Sequence, residues 1–436
     1  MDKYAEVRVC IAHNNPSIRR HENKCVLCGR CKDICKKQMG VSGYGEYDAE
    51  DEICINCGQC ANACPVGAIT EQDDADEMMD AVNNPKKKVV AIISPAVRVS
   101  LGELFGFSAG EFVAGKAVAL LKQLGIDYVF DVTSGADLTV MEETSEFLER
   151  LNNKKILPMF TSCCPAWVKF VEQFYPQYIG NISSCKSPIS MQASLIKSYF
   201  ADKVGLKPEE LFVVAITPCV AKKFEIKRPE LRDNYGSNTD LVVSVRELGR
   251  LCENKGINFA ELKDCEFDSF FPTGSGAGTI FGASGGVTEA VLRTAYYLLN
   301  NEDAPADFFK FEALRGFKNI KTANVDLKKV TVNVCVVCGT SNAREVLQDL
   351  NKFGYDLIEV MACPNGCVGG GGQPRSDKAY AINAEKRAEG LYNKDAGTSI
   401  RASYKNPIIK NVYDEYLIKP LSEKAKKLLH TTYSKR

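Results

Sequence analysis

Beyond about residue 88, short and mostly apolar runs alternate with stretches of helical period. The runs are VVAIIS (89–94), YVFDV (128–132), ILPMFT (156–161), LFVVAIT (211–217), DLVVSV (240–245), VTVNVCVV (330–337) and DLIEVM, which ends at Met361. Their length and nearly unbroken apolar character predict strands buried on both faces. Between the first two lies FVAGKAVALLKQLG (112–125), whose period predicts a helix closed by Gly125. Strands alternating with helices predict an α/β fold with parallel sheets flanked by helices. Ligands in such folds collect beyond the carboxyl ends of the strands.

Before residue 89 the chain is punctuated by cysteine. Cys25-x2-Cys28-x2-Cys31-x3-Cys35 is followed by Cys54-x2-Cys57-x2-Cys60-x3-Cys64-Pro65. This is an internal repeat of the bacterial two-cluster ferredoxin type. A tight loop aims three sulfurs at one cubane, and the fourth cysteine of each run crosses to the other cluster. The expected ligand sets for two 4Fe–4S clusters are therefore Cys25, Cys28, Cys31 and Cys64, and Cys54, Cys57, Cys60 and Cys35. Zinc ribbons are the other reading, but x3 before the last of four thiolates is a poor zinc pattern. Residues 1–84 are expected to form a small α+β ferredoxin-like domain. The charged stretch Glu71–Lys88 predicts a short helix and then a linker at Asn-Asn-Pro.

Charge and composition narrow the partners. Lys+Arg and Asp+Glu both number 55, so nothing points to nucleic acid. No run of about 18 apolar residues predicts a membrane span. The start MDKYAEVRVC lacks the charged-then-apolar pattern of an export signal, so a cytoplasmic location is expected. Nineteen cysteines in that reducing compartment point to metal more than to disulfides. The three histidines are His13, His21 and His430. None is near a cysteine motif other than the first, so proton chemistry in the core is expected to use other groups.

Three of the apolar runs lead into cysteine. The segments are T-S-C-C-P-A-W (Thr161–Trp167), T-P-C-V-A-K-K-F-E (Thr217–Glu225) and M-A-C-P-N-G-C-V-G-G-G-G-Q-P (Met361–Pro374). Cys164, Cys219, Cys363 and Cys367 are four thiols that one fold could gather around an iron–sulfur cluster. With these segments in this order, the chain resembles the catalytic domain of iron-only (FeFe) hydrogenases. The likeness runs from CIAHNNPSIRR (Cys10–Arg20) to PLSEKAKKLLHTTY (Pro420–Tyr433). It implies a two-lobed α/β catalytic domain over residues 85–436, including a helical C-terminal tail, with an H-cluster in the cleft. That cofactor joins a 4Fe–4S cubane to a di-iron unit with carbon monoxide, cyanide and amine dithiolate ligands. By the same resemblance the four cysteines hold the cubane, and Cys367 also bridges to the di-iron unit. The implied reaction is reversible dihydrogen oxidation and proton reduction. Electrons would pass through the N-terminal clusters to a soluble carrier such as ferredoxin or flavodoxin, and maturation proteins would insert the di-iron unit.

The resemblance also assigns side-chain roles. Cys163, spare beside a ligand, would pass protons to a relay of Glu143, Ser183, Glu146 and Arg150. Glu143, Glu146 and Arg150 share one helix face by their spacing, which alone fits a solvated charged face equally well. Lys222 would pair with an iron-bound cyanide, while Lys223 is expected at the surface. Ser94, Pro95, Thr217, Phe281 and Met361 would line the pocket. The run Gly369–Gly372 is expected to allow close backbone approach and positive φ, though a glycine run alone also fits a flexible turn. The chain departs from the better-known pattern at Ser94-Pro95-Ala96, Ala166, Ile189, Thr217 and Tyr404. Thr217 stands where a bulky thioether is usual, which would leave the pocket looser or add a polar contact. Cys10, Cys185, Cys252, Cys265, Cys335 and Cys338 are left over. Cys335 and Cys338 face opposite ways on a predicted strand and read as core residues. An iron–sulfur assembly scaffold and a dihydrogen sensor are the alternative functions. The intact Cys163 and relay argue against the first, and the lack of length for a signalling domain against the second.

Overall fold

The computed structural model describes Tyr4 and residues 6–43, 53–153, 155–233, 236–316, 318–375 and 380–436. The strands in chain order are β1 (Ile18–Arg20), β2 (Ile69–Glu71), β3 (Lys88–Ile93), β4 (Tyr128–Asp131), β5 (Met159–Phe160), β6 (Leu211–Thr217), β7 (Arg232–Asp233), β8 (Gly236–Ser237), β9 (Leu241–Ser244), β10 (Ile320–Asp326), β11 (Thr331–Cys338) and β12 (Leu357–Met361).

In the N-terminal part, β1 pairs antiparallel with β2. Between them lie the cysteine loops and the helices Arg30–Lys37 and Gln59–Ala63. Gly29 and Gly58 precede these helices at φ +78° and +73°. Each lies between the second and third cysteines of its run. A left-handed residue there turns the loop so that flanking thiols converge, and glycine adopts it without strain.

Two four-stranded sheets form the rest of the framework. The first has the order β4-β3-β6-β9 and is parallel throughout. Apart from Lys88, Asp131, Thr217 and Ser244 at their ends, its strands are apolar, because each face meets a core. Val90 and Ile92 pack with Phe130 and Phe200, whereas Val89, Ala91 and Ile93 pack with Val118, Leu121 and Leu248. The predicted helix at 112–125 runs over Ala114–Gln123, and Gly125 follows at φ +94°. The short helix expected near residue 75 spans Ala75–Val82 and sends Ala75, Met78 and Ala81 into the second of these cores. It is thereby packed on the first large sheet.

The second sheet has the order β10-β11-β12-β5. Strands β11, β12 and β5 are parallel, and β10 is antiparallel on the edge. The apolar pattern does not reveal β10: only Lys321 and Val325 of its seven residues are buried. Strand β5 is shorter than the run 156–161, at two residues. Pro158 has no N–H to give to a ladder, which limits the pairing before Met159. On β11, Cys335 faces one core, while the Cys338 thiol donates to Ser284 Oγ at 2.8 Å on the other side. The predicted opposition of these two cysteines is therefore present.

Strand β6 belongs to the first sheet, and β5 and β12 to the second. Cys219 follows β6, Cys164 follows β5, and Cys363 and Cys367 follow β12. The three cysteine segments thus approach one another from two sheets. The C-terminal helices close over both parts. Leu391 of Tyr380–Ala396 packs with Ala96 and Val368, and Leu429 of Glu423–Leu429 enters the core of the first sheet.

Candidate active site

Cys164 stands at the N-terminus of the helix Pro165–Phe174, and its sulfur accepts the Ala362 N–H at 3.5 Å. A helix N-terminus favours negative charge, as a cluster-bound thiolate requires. The four motif thiols are electrostatic neighbours. Burial and then Cys164 push Cys219 up to about 12. Burial, Cys219, Cys57 and Cys164 hold Cys363 well above the usual thiol range. Burial, Cys219 and Cys164 likewise raise Cys367. Four soft donors gathered in a buried site fit an iron–sulfur cluster, whose positive charge would hold them deprotonated together.

The eight N-terminal cysteines line two cavities. One is walled by Cys25, Cys28, Cys31 and Cys64, with Leu27, Val66 and Ile69. The other is walled by Cys35, Cys54, Cys57 and Cys60, with Cys10, Met39 and Ile55. The fourth cysteine of each run is therefore in the cavity of the other run. The second cavity adjoins the catalytic segment. Gln59 Nε2 donates to the Gly369 carbonyl at 2.8 Å and Asn62 Nδ2 to Gly370 at 3.1 Å. A Cβ at Gly371 would lie 2.1 Å from the Cys57 carbonyl oxygen, and one at Gly370 2.3 Å from that of Pro218. Close approach thus explains these glycines. Positive φ does not: in this segment it occurs at Asn365, at +62°, and at Gly366, at +90°, where an added Cβ would meet Ser284 N at 2.8 Å and Met361 Sδ at 2.9 Å.

Phe281, Met361, Cys163 and Cys367 share one apolar cluster. Ser94 precedes the short helical turn Pro95–Val97, and Gln373 Nε2 bridges the carbonyls of Ala96 and Cys367 at 3.4 and 3.3 Å. The Pro95 turn is thereby fixed beside Cys367. The Thr217 hydroxyl donates to the Cys219 carbonyl at 3.0 Å and accepts the Cys219 N–H at 3.3 Å. Both contacts serve the turn that presents Cys219, so the hydroxyl has a local role that the sequence did not show. Among the other departures, Ile189 is in the core of the first sheet, and Tyr404 stacks on Tyr297 at 3.9 Å.

Lys222 is buried; its ammonium donates to the Cys163 carbonyl at 3.0 Å and to Glu225 Oε2 at 2.6 Å. Burial opposes its charge, but Glu225 and the Cys219 thiol outweigh it and raise the lysine. Lys223 is not at the surface. It is 1% exposed and pairs with Asp74 at 2.5 Å and Glu247 at 2.8 Å. Both partners are remote in sequence, which is why local polarity misled.

The relay residues are contiguous along the helix Val132–Asn152 and the segment facing it. Glu143 is fully buried, and Oε1 accepts the Ser162 N–H at 3.4 Å while Oε2 has no hydrogen-bond partner among the described residues. Burial, followed by repulsion from Glu146, lifts its carboxyl to about 8. Burial and Glu143 also raise the Cys163 thiol. Ser183 Oγ donates to Glu146 Oε2 at 2.9 Å, and Arg150 Nη2 to Glu146 Oε1 at 2.6 Å. Glu146 and Arg150 then open onto a surface pocket shared with Ser184 and His430.

His430 lies beside the outer end of this chain of residues without belonging to it. Its Nδ1 lies 2.7 Å from Ser184 Oγ, and its Nε2 lies 3.0 Å from Glu142 Oε2. Glu142, Ser184 and Glu225 were also missed. Glu142 and Ser184 take partners from distant segments, so spacing held no signal for them, whereas Glu225 pairs with Lys222 three residues before it.

The fold and this convergence of thiols define an iron–sulfur oxidoreductase of the hydrogenase class. Residues 87–371 match the family described as the iron only hydrogenase large subunit, C-terminal domain, residues 381–436 the iron hydrogenase small subunit, and residues 50–70 a 4Fe-4S binding domain. The chain is 43% identical to the NADP-reducing hydrogenase subunit HndD of Solidesulfovibrio fructosivorans, over 96% of this chain and 75% of that one. It is 39% identical to iron hydrogenase 1 of Clostridium pasteurianum, over 98% and 77%. A solved structure of apo FeFe-hydrogenase HydA1 from Chlamydomonas reinhardtii superposes with TM-score 0.74 at 38% identity, covering 84% of this chain and 99% of that one. The chain belongs to the iron-only hydrogenases and is an FeFe hydrogenase, with a 4Fe–4S binding domain and an H-cluster-bearing domain. Among the described residues no helix is long and apolar enough to cross a membrane.

Proposed function

We propose that this hydrogenase interconverts dihydrogen with protons and electrons at an H-cluster held by Cys164, Cys219, Cys363 and Cys367, with Cys367 as the bridging thiolate. When bound, the cofactor supplies the reversible heterolytic splitting of dihydrogen. Lys222 offers a buried cation to the negative charge of cyanide and holds the Cys163 peptide in position. Cys163 accepts or returns the proton at Sγ. Glu143 is the next acceptor, and a carboxyl lifted to about 8 both takes and releases a proton near neutrality. Ser183 Oγ passes the proton to Glu146, and Arg150 orients that carboxylate at the surface pocket. Ser94, Pro95, Thr217, Phe281 and Met361 exclude water around the cofactor. The observation that carries this reading is the spare Cys163 thiol, next in sequence to Cys164 and an electrostatic neighbour of both Cys367 and Glu143.

Electrons would travel through two 4Fe–4S clusters, one on Cys25, Cys28, Cys31 and Cys64, the other on Cys35, Cys54, Cys57 and Cys60. The second set adjoins Cys363, which supports its place as the inner cluster. The domain boundary at residues 84–85, a cytoplasmic location, a soluble carrier such as ferredoxin or flavodoxin, and loading by maturation proteins belong to the same reading. The test is infrared spectroscopy of maturated protein, with turnover measured on the same sample. Intrinsic carbon monoxide and cyanide bands together with dihydrogen evolution are expected. Full iron content without those bands would sink the H-cluster assignment and favour an assembly scaffold. Bands without turnover would favour a sensor.

A further inference from the structure

The proposed reaction leaves two groups at the outer end of the relay without a role: Cys185 and His430. One ligand atom each from Glu146, Cys185 and His430 lie within 4.8 Å of one another. Cys185 Sγ is 3.8 Å from Glu146 Oε2. Bonds of about 2.0–2.3 Å put the ligands of a tetrahedral zinc ion roughly 3.5 Å apart, so closing the set takes about an ångström of side-chain movement.

The surroundings suit a bound cation. His430 Nε2 faces Glu142 Oε2 at 3.0 Å, and Glu142 is itself held by Tyr413 Oη at 2.6 Å and the Leu421 N–H at 2.9 Å. A carboxylate on one imidazole nitrogen is the arrangement that orients the other toward a metal. Here that other nitrogen, Nδ1, faces Ser184 Oγ, which also donates to Glu146 Oε2 at 3.0 Å. Burial, and after it Glu146, Glu143 and Glu142, hold the Cys185 thiol well above the usual range. Arg150 is paired with Glu146. Lys155 and Lys426 stand at the rim of the pocket with Glu149, which pairs with Lys155. The pocket that contains Glu146, Ser184 and His430 provides an entry path.

We propose that Glu146, Cys185 and His430 form a zinc-binding site, with a thiolate, an imidazole and a carboxylate as ligands and the pocket side left for water. Binding releases the Cys185 proton to solvent and changes no oxidation state. Because the site uses Glu146, a bound zinc ion closes the proton path; this consequence rests on the relay reading above, whereas the site itself does not.

The test titrates zinc into cluster-loaded, maturated enzyme. It follows zinc bound per chain by equilibrium dialysis with radioactive zinc, together with dihydrogen evolution and iron content. The wild type is expected to bind one more equivalent than either Cys185→Ala or His430→Gln. Zinc-edge X-ray absorption of the wild type should show one sulfur at about 2.3 Å and the remaining ligands near about 2.0 Å. Saturating zinc should slow the wild type by about 10²–10⁴-fold, the usual loss for an acid–base group. Cys185→Ala should keep basal turnover and lose that sensitivity. Equal zinc binding by all three proteins, or a sulfur-free metal shell, overturns the site. Zinc bound through Cys185 and His430 with undiminished turnover upholds the site and instead overturns the role of Glu146 in proton transfer.

Discussion

Lys222 Nζ donates to the carbonyl oxygen of Cys163 at 3.0 Å. The lysine follows β6 in one sheet and the cysteine follows β5 in the other, so a single buried cation fixes the spare thiol across the cleft. Cys163 is thereby held through its backbone carbonyl rather than through its thiol, which leaves the thiol to the proton exchange proposed above.

Replacing Cys163 with alanine should therefore leave cofactor retention intact and remove most turnover. Loss of a positioned acid–base group typically costs about 10²–10⁴-fold. Dihydrogen evolution and infrared bands recorded on one sample check this. A wild-type rate with normal bands would remove Cys163 from the mechanism.

Cys367→Ser should abolish retention of the di-iron unit while both N-terminal clusters survive, because their cysteines line separate cavities. Iron analysis and electron paramagnetic resonance should still show about two cubanes of reducible signal, as the repeat demands. Recovery of normal carbon monoxide bands would rule out Cys367 as the bridge.

Glu143 has a folded pKa of about 8 against an ordinary 4.5. A group raised on folding contributes stability that is complete below its unfolded pKa and is lost as pH climbs through its folded pKa. Within roughly pH 5–8 the wild type should therefore lose stability relative to Glu143→Gln, at up to about 1.4 kcal/mol per pH unit. Denaturation of both proteins across that range tests the sign. A difference independent of pH would show that Glu143 is already ionised in the fold. The variant should also evolve dihydrogen about 10²–10⁴-fold more slowly.

Lys223→Met should destabilise the protein by about 3–5 kcal/mol, the usual result of removing one partner from a buried ion pair. Glu247 is fully buried and among the described residues would keep only the Ser244 and Asp74 N–H groups as donors. Adding Glu247→Gln should recover part of the loss. Thermal melts of the two variants that coincide with the wild type would refute this account of Lys223.

Thr217→Met removes the hydroxyl that closes the Cys219 turn and restores a thioether. The expected result is a shifted cluster potential or shifted infrared bands and an altered ratio of uptake to evolution, with cluster content little changed. Protein-film voltammetry at matched iron content decides. Superimposable catalytic bias would make Thr217 a neutral replacement.

The parallel strands were legible because burial on both faces leaves an unmistakable apolar run, as at Leu211–Thr217, where the run and the strand coincide. The edge strand Ile320–Asp326 escaped because one face meets solvent and a lysine occupies a buried position. The cysteine segments were legible because cluster chemistry fixes spacing locally. Buried charges were not. Lys223, Glu142 and His430 each take partners from far along the chain, and nothing in their own neighbourhood distinguishes them from solvated residues. Thr217 shows the same limit: its identity was visible, but the direction of its hydroxyl was decided by a turn two residues on.

The contact of Gly371 with Cys57 is made by backbone on both sides. On the proposed electron path, the junction between the inner N-terminal cavity and the catalytic segment is spanned by this backbone contact together with the Gln59 and Asn62 side-chain hydrogen bonds, and at Gly371 it is as stiff as two peptide units. Thermal motion of side chains can alter how a carrier docks or how a proton leaves, but it has little purchase on this separation. On the proposed path the tunnelling distance is thus set when the chain folds, and a Cβ at Gly371, 2.1 Å from the Cys57 carbonyl oxygen, is expected to widen it.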